Sequence, residues 1–247
     1  MPQSPFRLAL RTLLGASALF AVTSAFAATR VQCLTESIND VEMAAPVAGS
    51  VAAIRHGEGE FVDAGAVILE LESRAEQLEV ERRTVEVDTL KGELDRSESL
   101  LKSTSSISRE EVDKKRGEYR VAAVQLDLAR DALAKRKIVA PFPGVVTLLP
   151  VKVGEYCQPP KTLVRLVDAR QFYAVANVEP KAAAQVTVGA TVQLEAGDEG
   201  KLEVFDGKVV FISPVVDPAS GLLRLKAVFA NPDGRLRPGV AGRLVLP

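Results

Sequence analysis

Residues 45–71 align without a gap on residues 140–166, at a constant offset of 95. Ala45-Pro46 falls on Ala140-Pro141, Gly49 on Gly144, Val51 on Val146, Gly59-Glu60 on Gly154-Glu155 and Leu71 on Leu166. Such self-similarity constrains architecture strongly, because each copy is one small unit that cannot bury a hydrophobic face alone. Each copy reads as an apolar strand after Pro and Gly, then a turn at Gly-Glu followed by an aromatic, Phe61 or Tyr156. A second apolar strand follows at 67–71 or 162–167. Two such halves facing each other supply the missing face, which predicts one sandwich made of residues 45–72 plus 139–168.

The segment between the copies, residues 73–138, is charged and contains no proline. Ser73-Arg74-Ala75-Glu76 and Ser108-Arg109-Glu110-Glu111 both fit a capping box, in which hydroxyl and carboxylate satisfy the free amides of a helix start. Val80, Val87, Leu94 and Leu101 recur at seven-residue spacing, as do Val112, Tyr119, Leu126 and Leu133, with Ala122 and Ala129 three residues after the middle members. These are coiled-coil seams, and the linker 103–107 turns one helix back on the other. Glu79/Arg83, Glu110/Lys114 and Glu111/Lys115 are placed for i,i+4 pairing, and Lys135-Arg136-Lys137 opposes the negative end of the second helix. At about 1.5 Å per residue, a helix of this length projects on the order of 45 Å, too far to lie on a small sandwich. A hairpin that offers its carrier so little stability is read as a contact surface.

Beyond Asp168 the pattern is all-β. Strands are expected at 172–178, 192–194, 202–205, 209–212, 222–229 and 240–246, with turns at Asp206-Gly207, at 217–221 and at Asn231-Pro232-Asp233-Gly234, and a short helix at 179–186. Six short strands suit a small closed barrel over 169–247.

At the N-terminus, Arg7 and Arg11 precede an apolar run at 13–26, and Ala25-Phe26-Ala27 supplies a small-x-small cleavage pattern. Residues 1–27 therefore read as a secretory signal peptide, its apolar run being shorter than the roughly 20 residues of a spanning helix. Cleavage after about Ala27 is favoured over retention as an anchor, and the chain is placed in the periplasm, associated with the envelope. Residues 28–44 are left as an N-terminal segment. Lys and Arg number 31 against 32 Asp and Glu, so neither nucleic-acid affinity nor a polyanionic shell is indicated. Aromatics are 5% and tryptophan is absent, which leaves base-stacking and sugar platforms little to build on. His56 is the sole histidine, set between two strands, and is read as a solvated turn residue rather than a general base. No catalytic, cofactor-binding or metal site is assigned. After export Cys33 and Cys157 would meet an oxidising compartment, and whether they pair is open.

The split sandwich, inserted hairpin and following barrel together resemble the periplasmic adaptor, or membrane fusion protein, family, also called HlyD-like. Ala45-Pro46-Val47-Ala48-Gly49-Ser50-Val51, Ala140-Pro141-Phe142-Pro143-Gly144-Val145-Val146 and Leu236-Arg237-Pro238-Gly239 carry the likeness. It implies a mainly β fold with a split lipoyl-like (barrel-sandwich hybrid) domain, an antiparallel coiled-coil hairpin at 73–138 and a small β-barrel. It also implies a homo-oligomeric ring between an inner-membrane transporter and an outer-membrane channel protein, serving efflux or secretion. In adaptors of resistance-nodulation-division pumps the hairpin tip carries an Arg, a Leu four residues on and a Ser seven further. Arg96 and Leu100 match, Ser108 comes one residue late, and Ser105, Ile107 and Asp113 complete the expected partner-binding tip. Members of that pump class also carry a fourth, membrane-proximal domain; the chain ends directly after the last expected barrel strand, so that domain is expected to be absent.

The sandwich is similar as well to biotinyl and lipoyl carriers, which present a lysine on the turn joining their halves. Here that stretch reads Glu70-Leu71-Glu72-Ser73-Arg74-Ala75, without a lysine. A non-transport envelope scaffold or sensor built on the same coiled coil is the alternative to the adaptor reading.

Overall fold

The computed structural model describes residues 29–103, 107–197 and 203–247; the expected signal peptide and Ser105 lie outside the described residues. In chain order the elements are β1 (Thr29–Ala44), β2 (Gly49–Ile54), β3 (Phe61–Val62), β4 (Val67–Leu71), α1 (Arg74–Ser103), α2 (Arg109–Ala134), β5 (Lys137–Val139) and β6 (Gly144–Leu148). There follow β7 (Tyr156–Cys157), β8 (Thr162–Val178), α3 (Pro180–Ala183), β9 (Thr191–Ala196), β10 (Glu203–Ile212), β11 (Leu223–Ala230) and β12 (Ala241–Leu246).

The two repeats interlock. Gly49 pairs with Cys157 and, at the equivalent place, Val62 pairs with Gly144. Val51 pairs with Leu71 as Val146 does with Leu166. Both Gly59 and Gly154 take left-handed backbone, φ 86° and 87°, and each donates its N–H to the other copy's first strand at 2.8 Å. The equivalence runs further than the sequence alignment: Met43-Ala44 on β1 lie against Val164 and Thr162, as Ile138-Val139 on β5 lie against Leu69 and Val67. Val51, Ile68, Leu69, Leu71, Val146, Cys157, Leu163 and Leu166 pack in one core; Leu69 and Leu71 alternate into it, and Ile68 joins them beside a register shift between Val67 and Leu69.

The barrel closes through six strands in the order β1, β12, β9, β10, β11, β8, with β8 pairing back onto β1. Six strands are also what the sequence suggests, but they are a different six. The expected strands at 202–205 and 209–212 are one continuous strand, β10, and Asp206-Gly207 lies inside it rather than at a turn. Gly207 is there for close approach: a Cβ at this position would lie 2.4 Å from the Phe229 ring. That ring stacks on Phe172, which in turn meets Phe205 edge-on, in the centre of the barrel. The sixth strand is β1, from the segment left unassigned. Its Cys33 and Thr35 point inward, and the Thr35 hydroxyl donates to the Val240 carbonyl while accepting from the amides of Gly239 and Val240. The expected helix at 179–186 is one turn, α3.

β1 and β8 run together from the sandwich into the barrel, with a register shift between Ser37 and Asn39. Arg165 clamps Asp40 with two hydrogen bonds, 2.8 and 2.6 Å, and the buried Asp168 accepts from the Arg170 amide and from Nε and Nη2 of its guanidinium. These bonds hold both carboxyls below the usual carboxylate range. Cys33 and Cys157 are free thiols, buried in the barrel and in the sandwich respectively, so they do not pair. Burial pushes the Cys33 thiol up to about 11.

Candidate partner-binding surface

The hairpin leaves the sandwich from β4 and returns to it through the neighbouring strand β5, with Glu70 paired to Lys137. Its root is tied by Arg136, which donates to the Glu76 carboxylate at 2.5 Å and to the Ala48 carbonyl at 2.9 Å. Glu76 is therefore not the capping-box partner its spacing suggests. The Glu72 carboxylate takes the first amides instead, accepting from Ser73 and Arg74. At the second helix the cap forms as expected, Ser108 adopting extended backbone and its hydroxyl accepting from the Glu111 amide at 3.1 Å.

Heptad spacing builds the seam. Leu94, Val112, Ala122, Leu126 and Ala129 are buried between the helices, while Val80, Val87, Leu101, Tyr119 and Leu133 are half-buried along it. Two ion pairs cross the hairpin in its outer half, Lys115 to Glu93 at 2.8 Å and Arg116 to Glu98 at 2.7 Å. Each lowers the carboxyl and raises the base through a direct hydrogen bond. Lys115 was expected to answer Glu111 along its own helix. It lies three residues after Val112 on the seam side, so it faces α1 and reaches across. Glu79 answers Arg83 as expected, and bonds from Arg82 and Arg83 hold its carboxyl at about 2.

The residues assigned to the tip fare differently. Arg96 and Leu100 stand exposed on the outer part of α1, and Ile107 is half-buried where the chain enters α2. The Ser108 hydroxyl is committed to its own helix, and Asp113 accepts from Arg116 at 2.7 Å within the Glu98 bridge. Ser105 lies outside the described residues. The cross-helix bridges at Glu93 and Glu98 were not read from the sequence, because the i,i+4 rule considers one helix at a time. Among the described residues no group of three or more His, Cys, Asp or Glu converges to hold a metal ion, and no helix is long and apolar enough to cross a membrane. His56 sits half-exposed beside Glu60 at 3.1 Å.

Residues 173–246 match the CusB-like β-barrel domain family. An uncharacterized protein of Haemophilus influenzae is 27% identical over 199 residues, covering 80% of this chain and 51% of its own length. The multidrug resistance protein MdtA of Yersinia enterocolitica is 28% identical over 228 residues, covering 81% of this chain and 51% of its own. The chain thus spans about half the length of the curated relatives it matches. Among solved structures, a MacA-MexA chimera containing the Pseudomonas aeruginosa MexA α-hairpin superposes with a TM-score of 0.75 at 19% identity, over 89% of this chain and 81% of the other. MacA from Actinobacillus actinomycetemcomitans gives 0.67 at 18% identity, over 89% and 78%. At these identities the likeness speaks for the fold.

Proposed function

We propose that the chain is a member of the periplasmic adaptor, or membrane fusion protein, family, as its CusB-like barrel and its similarity to MdtA support, and that it links an inner-membrane transporter to an outer-membrane channel protein in efflux or secretion. It does so as a non-enzymatic subunit of a homo-oligomeric ring, exported to the periplasm by residues 1–27. The working division is sandwich 45–72 plus 139–168, hairpin 73–138 and barrel 169–247, with the strand before residue 45 shared by sandwich and barrel. One observation carries this reading: a 30-residue helix and its partner leave and re-enter one sheet side by side, and they pack on each other rather than on the body. Such a projection adds reach, and its outer end, with Arg96, Leu100, Ser105, Ile107, Ser108 and Asp113, is the surface assigned to the channel.

The test is substitution at that end with function and folding read separately. An apolar anchor at the centre of a small interface is worth about 2 kcal/mol or more, a loss of about thirtyfold in affinity when removed. Leu100→Ser and Arg96→Glu are expected to abolish export while thermal melting stays unchanged. Ser108→Ala is expected to be milder and to act through the helix cap. Intact export in the first two variants, or loss that follows only from a lowered melting temperature, would sink the docking role.

A further inference from the structure

The barrel joins the sandwich at one end, and its other end is free. At the free end Thr29 pairs with Leu246, Thr191 with Lys208 and Val178 with Leu223, while Ala183 of α3 packs into the core. Apolar side chains also stand outside that core. Val188, Val210, Phe211, Val215 and Val216 are each at least 42% exposed. The register shift between Val209 and Phe211 turns Val210 and Phe211 outward together, where regular alternation would bury the second. Gly189 donates to the Val209 carbonyl and Val209 to that of Ala190, which carries Val188 to the end of β10. Apolar side chains gathered on a surface in this way mark a contact with something apolar.

The loop that bears Val215 and Val216 satisfies most of its own polar groups. Ser213, Asp217 and Gly221 donate their amides to the carbonyls of Arg224, Leu222 and Asp217 at 2.7 to 2.9 Å. The Val215 amide goes to the Ser213 hydroxyl, which donates to the Val215 carbonyl in return. The Asp217 carboxylate accepts from the Ala219 amide and the Ser220 hydroxyl, and Pro214 and Pro218 have no amide to satisfy. Water would serve these groups in an ordinary surface turn. Hydrocarbon cannot, so a loop that enters it must satisfy its own backbone.

Position selects the partner. Residues 13–26 are the apolar run of the export segment, and Thr29 follows them by three positions. The free end of the barrel is therefore the end delivered at a membrane, whether or not that segment is removed. Exposed charge there is balanced, Lys181 and Lys208 against Glu179 and Asp217, so the contact is apolar rather than electrostatic.

We propose that the free end of the barrel rests on a phospholipid surface, with Phe211, Val215 and Val216 entering the edge of the hydrocarbon and Val188 and Val210 at the level of the headgroups. Its location rests on the export part of the proposed function; the transporter and the channel do not enter.

The chain contains no tryptophan, so Val216→Trp reports on this loop alone. The purified exported chain is titrated with vesicles of phosphatidylethanolamine and phosphatidylglycerol, with and without brominated acyl chains. Val216→Trp is expected to show a blue shift and quenching by the bromines. Val153→Trp, an exposed position on the sandwich, is expected to show neither. Binding should survive high salt. In vesicle flotation without the probe, Val215→Ser and Val216→Ser should each weaken binding by about tenfold, the loss one buried valine implies, with thermal melting unchanged. Emission that does not shift on vesicles overturns the proposal, and a shift seen only in native membranes does so by assigning the patch to a protein partner. Binding that high salt abolishes overturns it as well. Insertion by a chain that captures no channel leaves this contact standing and removes the adaptor reading; capture without insertion does the reverse.

Discussion

At Gly144 an added Cβ would lie 2.6 Å from the Val167 carbonyl oxygen and 3.0 Å from its carbon, whereas at Gly49 the obstacle at 2.6 Å is the Arg136 guanidinium. Backbone in a paired strand cannot give way, but the end of an arginine can swing. Gly144→Ala is therefore expected to cost about 2–3 kcal/mol, in the range of overpacking, and Gly49→Ala about 1 kcal/mol or less. Urea denaturation of the two variants measures this, and equal costs would show that repeat position, not the neighbour, sets the requirement. The sequence alignment paired these glycines correctly but carried nothing about their surroundings. It also misread Gly207, since Asp-Gly is a turn signal and the reason for this glycine is the Phe229 ring from the next strand. Likewise Val31, Cys33 and Thr35 alternate as a strand should, yet a threonine at an inward position and charges at Glu36, Asp40 and Glu42 hide the pattern. Only the Gly239 and Val240 amides explain why a hydroxyl is buried there.

Among the elements, the hairpin was the most legible, because heptads, caps and the lack of proline all act within one or two turns. Its root was not, because Glu76 and Arg136 meet only when the hairpin closes. Removing the hairpin should leave the body folded, since β4 and β5 pair directly at its root. The excision must stop before Arg136, whose carbonyl accepts from Leu71, and before Lys137 and Ile138, which pair with β4. Replacing residues 74–135 by a short glycine-rich turn is expected to give a soluble protein with one cooperative melt and no export. A product that aggregates, or that lacks the β signal in circular dichroism, would mean that the sandwich depends on its insertion. β10 illustrates the opposite limit: its existence was readable from alternation, but it was divided in two at Asp206-Gly207, where the glycine serves packing.

For the molecule as a whole, the order of parts was readable and the way they join was not. The repeat predicted the sandwich and the turn-punctuated apolar runs predicted a barrel. The joint depends on β1 and β8 pairing over lengths that pass through both cores, a non-local arrangement that leaves no short-range trace. That joint makes sandwich and barrel share two strands. On the proposed function, the far end of the hairpin meets an outer-membrane channel. A photo-crosslinking amino acid at Ser105 in living cells, followed by identification of the captured protein, tests this most directly. The account predicts a single major adduct with an outer-membrane channel protein, lost on Leu100→Ser; adducts only with inner-membrane proteins, or none when the chain is folded and exported, would contradict it.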